Sequence, residues 1–368
     1  MSRESIRVLH IVDKFGIGGV QKVVQGLLEN FKSPHVEAHF YFLRDPGMPG
    51  KRTREDIVIR NYAKYSPLPL LDLCHTVRRK NIHILHTHQR KGFYLASVLG
   101  LLLPEIKHIH QEHGDLLLGY RGYTLMMKLR WSGIARLVAV SEHVKRHILH
   151  TVRDDPAKVV VLNNFVSPLV GPNSGQNVFS RTNLEISPQE FVIGFVGRLR
   201  KVKGCEYLIR ALPYLDFPYR ALIVGDGDQR AALERLARDL KVSERVRFLG
   251  WMEDASEVYP LLDVLVLPSL SEAFPVVLLE ARCAGVPVIC SRIPALCDLV
   301  ENRETGLFFE PEDERDLADQ IVCLRRDPTL RERIVRQSSE SAQRFSVSAY
   351  CRALEELYHE IAPSTMAR

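Results

Sequence analysis

No stretch of the 368-residue chain reaches the ~20 consecutive apolar residues that a membrane-spanning helix needs. The longest run, residues 95–103 with its flanks, is about half that length and reads as a buried helix. The N-terminal MSRESIRVLHIVDKF runs straight into a strand-like pattern with no signal-peptide core, so residence in the cytoplasm is expected. The seven cysteines contain no CxxC pair, which argues against a zinc module or a disulfide framework and predicts reduced core thiols. Neither a 20–50 residue repeat nor a low-complexity tract is present, which sets solenoids aside. The glycine loop Gly16-Ile17-Gly18-Gly19-Val20-Gln21 lacks the third glycine of a dinucleotide fingerprint, Gln21 standing in its place.

What the chain does have is the composition of a soluble globular protein, 46% apolar and 26% charged, at a length suited to two domains. The net charge of +6 hides an asymmetry. Residues 1–175 hold 25 basic against 14 acidic side chains and thirteen of the fourteen histidines; the remainder holds 25 against 30. A basic first half suits an anionic partner, a phosphate or a lipid headgroup, and equally an ordinary solvated surface. Nucleic acid is not expected, because no aromatic-basic platform accompanies the charge.

Apolar strand-like runs alternate with helix-length segments, predicting an α/β protein with two doubly wound parallel sheets. Expected strands are residues 6–12, 38–43, 82–86, 107–110, 137–140 and 159–162 in the first half, and 191–196, 219–224, 246–249, 264–267 and 286–290 in the second. Residues 168–190, rich in Pro, Gly, Ser and Asn, read as a linker. The domains are therefore 1–170, a linker at 171–190, and 191–345, with an amphipathic helix within 346–368.

In open parallel sheets ligands bind beyond the carboxyl ends of the strands. After residues 191–196 comes a basic turn with Arg198, Arg200, Lys201 and Lys203 between glycines. It suits a diphosphate leaving group, or is simply a solvated turn before a helix. After residues 264–267 comes SEAFPVVLLE at 271–280, where Pro275 marks a helix start with Glu272 before it and Glu280 within it. Amides around Ala273, Phe274, Pro275, Val276 and Val277 would favour phosphate, and the two carboxylates would accept from sugar hydroxyls.

These segments, with VIGFVGRLRKVKGCEYLIRAL, ALIVGDGDQRAALERLARDL and the stretch from VRFLGWM to TGLFFEP, resemble the retaining GT-B glycosyltransferases of family 4, also called glycosyl transferases group 1. The resemblance implies a GT-B fold, two Rossmann-like domains facing across a cleft, with the C-terminal helix packed back on the N-terminal, acceptor-side domain. It implies transfer of a sugar, hexosyltransferase-like, from a nucleotide-diphosphate sugar, with retention and without a metal. Glu272 and the amides after it would address the sugar, Glu280 the ribose, Arg198 and Lys203 the diphosphate, and Met252 the base. Gly18 and Gly19 would approach the donor phosphate, with Gln21 and Arg121 on the acceptor side. His113 falls where the family has a histidine near the reacting sugar, and would orient substrate or stabilise charge. Asn164 partly matches a family Asn-Gly turn, but Phe165 replaces the glycine.

The acceptor expected from the resemblance is a glycan or lipid-linked saccharide of cell-surface polysaccharide synthesis. GDLLLGYRGYTLMMKLRW at 114–131 mixes leucine and tyrosine with Arg121, Lys128 and Arg130, fitting either an anionic membrane surface or a core helix with basic edges. Three alternatives remain in view: a nucleotide-sugar epimerase of similar fold, a metal held by His86 with His88 or His108 with His110, and a DxD cation motif at Asp226 and Asp228. No acidic or cysteine ligand accompanies the histidines, and Asp226-Gly227-Asp228 fits a Val-Gly-Asp-Gly turn, so no metal is expected.

Overall fold

Runs of Val, Ile, Leu and Phe buried on both faces form the strands, as parallel sheets covered by helices require. The computed structural model describes residues 5–13, 19–44, 54–62, 66, 68–114, 121–166, 179–252 and 254–362. The chain divides into two units, Met1–Phe165 with Val347–Arg368, and Val166–Ser346.

Unit 1 runs β1 (Ile6–Val12), α1 (Gly19–Asn30), β2 (Val36–Phe42), β3 (Ile57–Ile59), α2 (Leu68–Arg79), β4 (Ile84–Thr87), α3 (Arg90–Leu102), β5 (Lys107–Glu112), α4 (Arg121–Arg130), β6 (Arg136–Ala139), α5 (Glu142–Thr151) and β7 (Val159–Val161). Its seven parallel strands lie in the order β3-β2-β1-β4-β5-β6-β7. Side chains alternate between faces with period two. Val8, Val12 and Ile84 meet α1, while Leu9, Ile11 and Leu85 meet α2 and α3.

Unit 2 runs β8 (Phe191–Val196), α6 (Cys205–Ala211), β9 (Tyr219–Val224), α7 (Arg230–Asp239), β10 (Val246–Gly250), β11 (Val264–Leu267), α8 (Val276–Cys283), β12 (Val288–Ser291), α9 (Pro294–Cys297), β13 (Leu307–Phe309), α10 (Glu314–Arg326) and α11 (Pro328–Ala342). Its six parallel strands lie in the order β10-β9-β8-β11-β12-β13. Asp313 and Asp327 accept from the first free amides of α10 and α11, and Pro328 occupies the first turn, where its missing N–H costs nothing. The chain then returns to unit 1 as α12 (Val347–Ile361), burying Tyr350, Leu354, Leu357 and Tyr358 beside α1.

Several expectations need correction. β3 and β13, three residues each, were not among the expected strands. β12 starts two residues late because the Val286 amide closes α8 onto Ala281 O (2.8 Å) and Pro287 has no N–H. Residues 95–103 are not wholly buried: Ala96 and Leu99 face the sheet, but Val98, Leu101 and Leu102 are exposed. Of the cysteines, all free, Cys205 and Cys290 are buried while Cys283 and Cys297 are exposed, so core packing accounts for only some. Within the expected linker, residues 167–178 lie outside the described residues; residues 179–190 belong to unit 2, where Leu184 and Ile186 are buried. Among the described residues no helix is long and apolar enough to cross a membrane.

Candidate functional site

In unit 2 the loops after β8, β9 and β11 are stitched together by their backbones. Gly197 N donates to Val224 O (3.0 Å), Leu199 N to Asp226 O (3.0 Å) and Leu270 N to Val202 O (2.8 Å). Two glycines make this possible. A Cβ on Gly225 (φ +131°) would lie 1.8 Å from Gly197 O, and one on Gly204 (φ +63°) would lie 1.9 Å from Pro268 O. The glycine-bounded turn expected to admit a ligand thus spends Gly204 on an approach of protein backbone to protein backbone.

The stitching brings Lys203 to Glu272. Lys203 Nζ lies 2.7 and 2.8 Å from the two carboxylate oxygens, and Ser269 Oγ donates to Oε1 at 2.7 Å. The Glu272 side chain is 8% exposed and that of Lys203 30%, so the pair is protected on the acidic side and open on the basic side. Arg198 is exposed and, among the described residues, forms no ion pair; partial desolvation, then the neighbouring Arg200 charge, lowers its pKa. An exposed guanidinium in the same loop as a lysine suits phosphate oxygens.

Helix α8 begins one residue after Pro275, which occupies the N-cap. Phe274 is buried edge-on against Phe345 at 5.8 Å, Pro275 and Val276 are buried, and Ala273 and Val277 are half-buried. Glu280 is buried and accepts from Tyr259 Oη at 2.7 Å, a partner that sequence spacing did not suggest. Arg282, two residues on, is fully buried, and its Nη2 donates to Leu299 O at 2.8 Å. Met252 is half-buried two residues beyond β10. The Asp226 carboxylate is committed to its own turn and to α7, accepting from Gly227 N (2.7 Å) and Arg230 Nη1 (2.9 Å). Those contacts agree with the turn reading over a cation motif.

Unit 1 carries polar side chains on both faces of its sheet. On the α3 side, Thr87 Oγ1 lies 3.0 Å from His108 Nε2 and 2.7 Å from His110 Nδ1; His110 Nε2 lies 2.6 Å from Tyr123 Oη. Tyr123 donates to Glu112 (2.9 Å), whose other oxygen accepts from Gly114 N (3.1 Å), fixing the residue after His113. On the α12 side, β1 and β4 pair in register so that His10 and His86 share a rung. His113 Nε2 lies 3.1 Å from His88 Nδ1, His88 Nε2 lies 2.9 Å from His10 Nδ1, and His10 Nε2 lies 3.2 Å from Tyr358 Oη. Tyr358 Oη lies 2.7 Å from His86 Nδ1. Burial pushes His10 and His113 down to about 3, with His39 and His110 adding respectively, and burial first, then neighbouring histidines, holds His86 and His88 well below the usual range. These imidazoles are neutral at physiological pH.

Nitrogens of His10, His86 and His88 lie within 4.8 Å of one another, the arrangement that most resembles a metal site among the described residues. Hydrogen bonds occupy every nitrogen of the three except His86 Nε2, and the 2.9 Å between His10 and His88 is a hydrogen-bond distance, short of the ~3.3 Å that separates two ligands ~2.0 Å from a tetrahedral ion. Gly18 lies outside the described residues, as do 115–120 of the segment at 114–131. Gly19 is the first residue of α1, Gln21 is half-buried and Arg121 is an exposed first residue of α4. Asn164 is buried, with no partner for Oδ1 among the described residues. The residues that sequence reasoning missed, Tyr259, Glu112, Tyr123 and Tyr358, all act through another side chain, and no motif spacing marks them.

Residues 178–341 match the family described as Glycosyl transferases group 1, and residues 17–168 match Glycosyltransferase Family 4. The chain is 30% identical to an uncharacterized glycosyltransferase of Methanocaldococcus jannaschii over 63% of its own length and 62% of the relative's, under two thirds of that protein. It is likewise 30% identical to a D-inositol 3-phosphate glycosyltransferase of Corynebacterium kroppenstedtii over 75% of its length and 67% of the relative's. In fold it is similar to Anabaena HepE in complex with UDP, with a TM-score of 0.85 at 18% identity, covering 97% of this chain and 100% of that one. With both halves matched in order and both sheets of the Rossmann type, the chain belongs to the group 1 glycosyltransferases of GT-B fold.

Proposed function

We propose that the protein transfers a sugar from a nucleoside-diphosphate sugar to an acceptor hydroxyl with retention of anomeric configuration. The observation that carries this reading is the joint at which Lys203 meets Glu272, with Arg198 exposed in the same loop. As the bond from the anomeric carbon to the diphosphate breaks, negative charge grows on the phosphate oxygens, and Arg198 and Lys203 stabilise that charge more than the ground state. The acceptor oxygen attacks the anomeric carbon on the face the diphosphate leaves, and its proton goes to the departing phosphate oxygen. Glu272, held by Lys203 and Ser269, orients sugar hydroxyls and is no nucleophile. Glu280, aimed by Tyr259, holds the ribose. Two side-chain cations take the place of a divalent ion, so the reaction needs no metal. The relative in complex with UDP supports a uridine nucleotide as the first to try.

His113 is the unit 1 group proposed to touch substrate. For the acceptor, the outer edge of α3 and α4 supports a lipid-linked saccharide at an anionic membrane surface. Leu101, Leu102, Leu125 and Leu129 are all more than half exposed, and Lys107 and Lys128 lie among them in sequence. Arg130 reaches across to α3, 3.8 Å from where a Cβ on Gly100 would be, so the two leucine-bearing ends are neighbours. Exposed leucines flanked by lysines suit the headgroup boundary of a cytoplasmic leaflet.

A thermal-shift screen of nucleotide sugars, followed by turnover of the stabilising one with and without chelator, tests the reading. A donor raises the melting temperature by mass action. No shift with any nucleotide sugar, or turnover that stops in chelator and returns with magnesium, would overturn it.

A further inference from the structure

The two hydrogen-bonded chains of unit 1 differ in one respect. The chain on the α3 side ends on the Glu112 carboxylate, which only accepts while ionised. Its direction is therefore set: Tyr123 donates to Glu112, His110 Nε2–H to Tyr123, the Thr87 hydroxyl to His110 Nδ1, and His108 Nε2–H to Thr87. The chain on the α12 side contains no carboxylate and no cation. It ends at His86 Nε2 and His113 Nδ1, both shielded from solvent and without a partner among the described residues.

Each neutral imidazole has one N–H and one lone pair, so every contact in this chain runs the same way round as long as the Tyr358 hydroxyl donates to one histidine; accepting from both would leave its own O–H unpaired in the core. Two senses are self-consistent, and the Tyr358 hydroxyl can rotate to serve either; both of its contacts are within hydrogen-bond range in either sense. In one sense His113 ends in a bare Nδ1 lone pair and His86 carries an unpaired Nε2–H inside the core. In the other, His86 Nδ1–H donates to Tyr358, Tyr358 to His10 Nε2, His10 Nδ1–H to His88 Nε2 and His88 Nδ1–H to His113 Nε2. The unpaired N–H then falls on His113 Nδ1. Orphaned buried N–H groups are the rarest unsatisfied groups in proteins. His86 is fully buried, whereas His113 is a half-buried residue just beyond the carboxyl end of β5, so the second sense puts the unpaired donor at the end of the chain nearer solvent.

We propose that Tyr358, His10 and His88 are positioning residues that hold His113 as the neutral Nδ1–H tautomer, presenting a hydrogen-bond donor to a substrate oxygen. Tyr358 comes from α12, so the state of His113 is set from a helix 245 positions later in the sequence. The use of that donor in transfer rests on the reading of His113 given above; the tautomer does not.

The test is the nitrogen-15 NMR spectrum of the full chain labelled at histidine, with His113 assigned by loss of its signals in His113→Phe. The expected result is an Nδ1–H pattern at His113 in the parent protein and a mixed or Nε2–H pattern in Tyr358→Phe. His10→Phe is the second variant, since it removes both hydrogen bonds of His10 and keeps an aromatic ring stacked on Phe40, whose centroid lies 4.7 Å from that of His10. An Nε2–H pattern in the parent protein, or a His113 pattern that neither variant changes, overturns the proposal. In Tyr358→Phe, kcat is expected to fall on the order of tenfold with donor KM unchanged. A tautomer that moves while kcat does not would uphold the chain and overturn only the role of His113 in transfer.

Discussion

Lys203 and Glu272 neutralise each other across the joint between two loops, the lysine nitrogen reaching both carboxylate oxygens at 2.7 and 2.8 Å. A diphosphate therefore competes with a carboxylate for this cation. Lys203→Ala is expected to lower kcat/KM by about 3 kcal/mol of barrier with little change in melting temperature, because the lysine side is open to solvent. Glu272→Gln keeps the Ser269 hydrogen bond and releases the lysine. It is expected to bind bare nucleoside diphosphate at least as tightly as the parent, by calorimetry, while losing most turnover.

Tyr259 aims Glu280 and, among the described residues, has no hydrogen bond to another residue assigned to the donor. Tyr259→Phe is expected to raise donor KM by roughly tenfold, the loss of one hydrogen bond to a charged group, with kcat nearly intact. Glu280→Ala is expected to remove most turnover. Equal effects of the two variants on kcat would count against the ribose assignment.

Stability is expected to fall on mild acidification. Unfolded, each histidine takes a proton near pH 6.5, whereas burial delays His10, His108 and His113 to about 3 in the folded protein. The unfolded state binds more protons throughout that interval, so the urea midpoint drops as pH is lowered from about 6.5 toward 3. His108→Phe should flatten the slope; an unchanged midpoint between pH 7 and 5 would refute the neutral-core picture.

The leucine edge of α3 and α4 is expected to sediment with anionic vesicles at low salt and to release as salt is raised. Leu101→Asp with Leu129→Asp should abolish sedimentation and leave donor stabilisation unchanged. Equal sedimentation with neutral vesicles would argue against charge as the attraction.

Much of unit 2 was legible because its functional side chains sit next to one another in sequence: Arg198 and Lys203 share one turn, and Glu272 and Glu280 flank one helix start. Their spacing carries the geometry. The meeting of the two groups was not legible, since it depends on Gly204 lying against Pro268, a tertiary fact. Tyr259 and Tyr358 were invisible for the same reason: each lies on an ordinary apolar helical turn and matters through a single hydroxyl. The histidines at 86, 88, 108 and 110 were noticed as a period-two pattern and weighed only as metal ligands. Burial of neutral rings in register makes hydrogen-bonded chains the outcome instead, and register across strands cannot be read from one strand's pattern. The edge strands β3 and β13 escaped although β7, equally short, did not: β7 lies in the four-residue apolar run VVVL at 159–162, whereas IVI and LFF are three apolar residues between Asp56 and Arg60 and between Gly306 and Glu310.

Helix α12 is separated from the sheet it covers by all of unit 2. On a ribosome, strands β1 to β7 emerge before α12 and leave uncovered the part of the sheet that holds His10, His86 and Gln111 until that helix arrives. Unit 2, whose residues 166–346 are contiguous, has all it needs to fold before that moment. The segment synthesised after unit 2 is thus the one that closes the first domain, and a chain stopped short of Val347 would display an apolar, histidine-studded sheet to any chaperone or neighbouring chain in reach.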